Sequence, residues 1–173
     1  MSTGQTILVI FAGILLTTIL VNFYRLLANN NDDLSLSEER IVATTIGSSF
    51  IEFANGLDFD QATVNSASAI HNVSALTDPS SLRMDTVSTM SGFDDIDDFN
   101  GYEVERDGGG SNGRYKSRFK VYYVDPENIG IPAGGKTFLK RMDISIWRID
   151  NYVPGNRVDT LRLFTTLGYF RFN

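Results

Sequence analysis

The 173-residue chain contains no cysteine, which excludes a disulfide scaffold, a thiolate metal site and a cysteine nucleophile. It has a single histidine, His71, too little for a histidine-rich metal site or a Ser-His relay. His71 reads as an ordinary surface or packing residue. Positive charge is in short supply. The net charge of −6 has the wrong sign for a nucleic-acid binder, which carries a basic face. The most informative absence is local: no charged side chain occurs before Arg25.

What occupies that charge-free stretch is apolar. Residues 7–24 read ILVIFAGILLTTILVNFY, interrupted only by Thr17, Thr18 and Asn22. Eighteen helical residues rise about 27 Å, close to the thickness of the hydrocarbon layer. The segment predicts one membrane-spanning helix. Its threonines are tolerated because their hydroxyls bond back to backbone carbonyls. A cleavable signal would want a basic start and a small-residue cleavage site, and Arg25 stands where that site belongs. A buried core helix is the other alternative. Little else in the chain is apolar enough to wrap a helix that is greasy on all sides.

Residues 29–33 (NNNDD) are polar and poor helix formers. Ser35 and Glu38 then stand at capping-box spacing, and Leu34, Ile41, Ile46, Phe50, Phe53 and Leu57 form an apolar stripe. A second helical stretch is expected over 35–56, stopping near Gly56. It either restarts after 29–33 or continues the first helix, loosened there. Its packing face is expected to be Ile41, Ile46, Phe50 and Phe53.

Between Gln61 and Ser91, eleven of thirty-one residues are Ser or Thr, which predicts a long surface loop with at most a short helix. Asn72-Val73-Ser74 within it is a glycosylation sequon, a motif common by chance. From Phe99 the period becomes two. Strands are expected at Tyr102–Arg106, Tyr115–Asp125, Phe138–Ile149 and Val158–Phe172, separated by DGGGSNG, PENIGIPAGG and NYVPGN. The fold class is therefore α+β: a long N-terminal helix packed on a four-stranded antiparallel meander. The boundaries are 1–28 for the apolar helix, 29–57 for its amphipathic half, 58–98 for the loop and 99–173 for the sheet.

Two motifs suggest chemistry. Gly130–Thr137 (GIPAGGKT) matches the phosphate-loop pattern, but that loop must open a helix, and FLKRMDISIWRI after it alternates like a strand. It reads as a hairpin loop. Asp94, Asp95, Asp97 and Asp98 (FDDIDDFNG) supply clustered oxygens suited to Ca²⁺. They lack EF-hand spacing, and a structural loop or a carboxylate pair for hydrolysis remains open beside calcium. Calcium is the one cofactor considered.

The whole layout resembles a type IV pilin or pseudopilin: an apolar N-terminal helix, an amphipathic continuation, a variable loop and an antiparallel sheet. Phe50–Asp60 (FIEFANGLDFD) resembles the end of the long helix in such proteins. Phe93–Tyr102 (FDDIDDFNGY) resembles the acidic segment before their first strand. Family members usually carry a basic leader and glutamate at the fifth mature position. Here Gln5 or Val9 stands there, depending on processing after Gly4. The resemblance implies a non-enzymatic filament subunit that assembles through Ile7, Val9, Phe11, Ile14, Leu16, Leu20 and Phe23. Its implied partners are copies of itself, the membrane before assembly and the pilus or secretion machinery. It implies an inner-membrane pool and an extracellular filament at the cell surface. Two further readings stay open: a minor pseudopilin of a secretion system, and a membrane-anchored extracytoplasmic binding module.

Overall fold

Helix α1 covers Thr3–Ala54 without interruption. The computed structural model describes residues 2–66, 68–83, 89–110, 113–150 and 159–169, with backbone alone at 31–33. The chain divides into two units, residues 1–40 and 41–173. The NNNDD segment is helical throughout, and no new helix starts at Ser35. Extending a helix fixes one residue per hydrogen bond, whereas starting one fixes several for the first bond, so weak helix formers are carried through.

Among the described residues of the second unit five strands follow: β1 Glu103–Asp107, β2 Arg114–Asp125, β3 Asn128–Pro132, β4 Leu139–Arg148 and β5 Thr160–Gly168. The main sheet has the order β1-β2-β4-β5, all antiparallel. The short β3, not expected from the sequence, folds back on the end of β2 across a register shift at Val124/Asp125. Of the rest of the expected last strand, Asp159 and Tyr169 are not in the strand, and 158 and 170–172 lie outside the described residues.

Strict alternation sends one face of the sheet inward. Phe119, Val121 and Tyr123 of β2 and Met142, Ile144 and Ile146 of β4 are buried. The last turns of α1 cover them with Ala43, Gly47, Phe50 and Ala54, which recur every three or four residues. The expected packing face is thus corrected at one position. Ile41 is 67% exposed, while Ile46 and Phe53 pack at the margin and Phe50 at the centre. The helix turns its small residues to the sheet because small side chains let its backbone approach most closely.

That approach is tightest at Gly47. A Cβ there would lie 2.8 Å from Ile146 Cδ1 and would also overlap a methyl of Leu163. Gly47→Leu gains about 1 kcal/mol in helix propensity. Overpacking a fixed core costs about 1–3 kcal/mol. Both contacts are terminal methyls, but a leucine adds three more carbons beside the fully buried Ile146, so a net loss of stability is expected. Thermal unfolding of the full chain in detergent measures it, and an unchanged or higher midpoint would refute the tight contact.

The loop does more than skirt the surface. Its Phe59, Leu76 and Leu82 form a second small core with Tyr123. Four of its described 3₁₀ turns are capped by Asp60, Asn72, Asp78 and Asp95 side chains, which accept backbone N–H groups.

Candidate functional site

Two places stand out, one in each unit. The first is the apolar helix. Ile7, Val9, Phe11, Ile14, Leu16, Leu20 and Phe23 are all exposed, as are Leu8, Ile10, Leu15, Ile19 and Val21 between them. These positions run around the whole circumference, so the surface is a greasy cylinder and not a stripe. Its best 18-residue window has a mean hydropathy of 2.4, and among the described residues it is the one helix long and apolar enough to cross a membrane. Thr17 and Thr18 donate their hydroxyls to the Gly13 and Ile14 carbonyls at 2.8 Å, which removes their polar hydrogens from the surface. At the start, the Ser2 N–H donates to Gln5 Oε1 at 3.2 Å, so Gln5 serves as a helix cap.

The second place is a buried charge cluster beneath the end of the sheet. Alternation along β4 puts Lys140 on the same inward face as Met142, and its side chain is fully buried. Its Nζ donates to Asp60 Oδ2 at 2.7 Å, to Asp97 Oδ1 and Oδ2 at 2.6 and 2.8 Å, and to the Phe59 carbonyl at 2.9 Å. The rings of Phe59 and Tyr123 lie 4.7 and 5.0 Å from the same nitrogen. Asp60 has further donors: the Ala62 N–H, the Thr77 N–H and hydroxyl, and the Tyr123 hydroxyl at 2.9 Å. The cluster ties together the loop after α1, the acidic segment and two strands.

The four aspartates of the acidic segment have separate positions. Asp94 is exposed, whereas Asp95, Asp97 and Asp98 are buried. They surround the 3₁₀ turn Ile96–Phe99, whose two apolar residues are buried in an aromatic group with Phe93, Tyr102 and Phe119. Asp95 Oδ1 accepts the Asp97 and Asp98 N–H groups at 2.6 and 3.3 Å, Asp98 Oδ2 accepts the Asp94 N–H, and Asp97 meets Lys140. Among the described residues no group of three or more His, Cys, Asp or Glu side chains is arranged to hold a metal ion. The Gly130–Thr137 segment runs from β3 through a turn into β4, with no helix after it. Its Lys136 donates to the Ser74 and Leu76 carbonyls and so clamps the loop.

No protein family, curated protein or solved structure matches the chain.

Electrostatics separate the acids. Burial and the neighbouring Asp97 charge push the Asp95 carboxyl up to about 7. Burial also raises Asp97, to about 6, against the pull of Lys140. Burial acts on Asp60 in the same sense, but Lys140 and the hydrogen bonds from Ala62 and Thr77 outweigh it and hold that carboxyl low.

Asp95 therefore has a pH signature. A folded-state value above the unfolded 3.8 means the folded chain holds the proton more tightly. Its stabilising effect is complete below that value and is lost as pH rises toward about 7. The slope reaches at most about 1.4 kcal/mol per pH unit. Asp95→Asn keeps the capping oxygen and loses the titration. The variant is expected to melt above the parent at pH 8 and to show a flatter stability profile between pH 5 and pH 8. Parallel profiles would rule out Asp95 as the source.

Sequence reading missed Lys140, Asp60 and Tyr123 as a group. A signal existed: Lys140 shares the parity of Met142, Ile144 and Ile146, and Tyr123 that of Phe119 and Val121.

Proposed function

We propose that the chain is a structural subunit of a type IV pilus-like extracellular filament, held in the inner membrane until its N-terminal helix enters the filament core. The observation that carries this reading is the contrast between the units. Among the described residues the head from residue 41 onward buries or half-buries most of its large apolar side chains, whereas every large apolar side chain of residues 7–27 is exposed. A membrane accounts for such a helix in one state, and packing against copies of itself in another. The resemblance of residues 50–60 and 93–102 to pilin segments supports the second state.

The mechanism is physical. Burial from water stabilises by about 25 cal/mol per Å², but lipid is already apolar, so transfer from lipid to a filament core gains far less. Close helix packing must supply the difference. Heterologous contacts that do not close on themselves then generate an open helix of subunits. The test is to shear intact cells, pellet the released material, image it by electron microscopy and identify the protein. Thin filaments built mainly of this chain are the expected result. Complete retention in membranes would overturn it in favour of an anchored monomer.

A further inference from the structure

We propose that Lys140 and Asp97 become joined by an intramolecular amide bond, formed with loss of one water and assisted by the Asp60 carboxylate. The geometry is that of two reactants already in contact. Lys140 Nζ meets both Asp97 oxygens, at 2.6 and 2.8 Å, so the two groups touch, and a turn of the carboxyl about its Cβ–Cγ bond presents its carbon to the amine. Asp60 stands differently: it offers Nζ only Oδ2, at 2.7 Å, while Oδ1 accepts from Ala62 and Thr77. Lys140 and Asp60 are wholly buried and Asp97 is 3% exposed. The Phe59 and Tyr123 rings flank the nitrogen and exclude water.

In water such a condensation is opposed, because both ions are strongly solvated and the product water is in excess. In this site neither condition holds. Fixed contact between reacting groups corresponds to effective concentrations of about 10⁵ M or more in favourable cases. Low polarity also brings the neutral amine–acid pair closer in energy to the ion pair.

The steps balance without any other reactant. The Lys140 ammonium passes one proton to the Asp97 carboxylate, giving an amine and a carboxylic acid. The amine lone pair attacks the carboxyl carbon, the C–N bond forms, and the carbonyl electron pair moves onto its oxygen. Asp60 Oδ2 accepts a proton from the nitrogen and delivers it to the hydroxyl that leaves. The C–O bond breaks, water departs and the carbonyl re-forms. One ammonium and one carboxylate have become one amide and one water, and Asp60 ends ionised as it began. The raised Asp97 carboxyl is the one that takes up the proton and becomes the electrophile, and the lowered Asp60 carboxyl is the one that stays ionised. The bond would close a covalent ring from the acidic segment to β4 and restrict the unfolded chain as a disulfide does, in a chain with no cysteine.

The test needs only the full-length protein. It is extracted in detergent, digested with trypsin and examined by tandem mass spectrometry. The expected result is one branched peptide joined through Asp97 and Lys140, lighter than its two parts by one water, with no cleavage after Lys140. Lys140→Arg is expected to abolish it, and Asp60→Asn to leave the two residues unjoined in most molecules. Recovery of separate peptides with unmodified Lys140 from the parent protein overturns the proposal, whatever the variants do. A water loss located elsewhere, as at Asp107-Gly108, overturns it equally. Full joining in Asp60→Asn removes Asp60 from the mechanism.

Discussion

Replacing Leu16 with aspartate is expected to abolish filaments while the head stays folded. Leu16 sits near the middle of the apolar segment, is 58% exposed and belongs to neither core cluster of the head. Its replacement therefore leaves the sheet untouched. A carboxylate at the centre of a membrane helix costs about 2.5–3.5 kcal/mol. Residues 7–24 retain eleven other Leu, Ile, Val and Phe side chains. At about 0.3–0.6 kcal/mol each these favour insertion enough to offset the charge. The variant should still enter the membrane.

The filament is less forgiving. Every subunit would bring one carboxylate into a core built from the same helix, so like charges accumulate along the polymer axis where water cannot screen them. The readout is the sheared fraction, imaged and probed for this chain, beside near-UV circular dichroism of the detergent-extracted protein. Loss of filaments with a native head spectrum is the expected pair. Normal filaments from Leu16→Asp would mean that residues 7–24 do not form the core. Loss of the head spectrum would mean that the two units fold as one.

These units differ in how far their sequence announces them. The apolar helix is legible because a charge-free run that is apolar for eighteen residues matches the span of a bilayer and little else. The strands are legible because Phe119, Val121 and Tyr123 in β2 and Met142, Ile144 and Ile146 in β4 recur at every second position. Other features depend on competition between remote parts of the chain. Residues 29–33 look like a break, yet they remain helical because the helix on either side carries them. The packing stripe centres on Ala43 and Gly47 and leaves Ile41 outside, since closeness of approach outweighs side-chain size. The acidic segment looks solvated because acids usually are. Three of its four aspartates are buried, held by backbone N–H groups and by a lysine forty-three residues away. Residue type suggested calcium there; the counter-charge that meets Asp97 is Lys140, and only the parity of β4 gives any warning of it.

That lysine carries the second large effect. Lys140→Met is expected to destabilise the head by about 3–5 kcal/mol, because it leaves Asp60 and Asp97 buried with neither the lysine cation nor the proposed amide. A domain of this size has about 5–15 kcal/mol in all, so the variant would be marginal. The loss should depend on pH in a defined sense. Without Lys140, burial raises both carboxyls, the folded state then binds protons that the unfolded state releases, and stability falls as pH rises. The variant is expected to be nearest its parent in mild acid and weakest at alkaline pH. A surface pair gives the contrast. Lys116 and Glu103 approach to 2.6 Å, as closely as the buried pair, yet both side chains are about one-third exposed. Lys116→Met should cost about 1 kcal/mol or less. Denaturant unfolding of the full chain in detergent, followed by the fluorescence of its single tryptophan, Trp147, measures both variants. Equal losses would mean that burial does not set the strength of the Lys140 cluster. A loss restored by adding Asp97→Asn would show that the uncompensated carboxylate, and not the missing methylenes of lysine, is what destabilises the head.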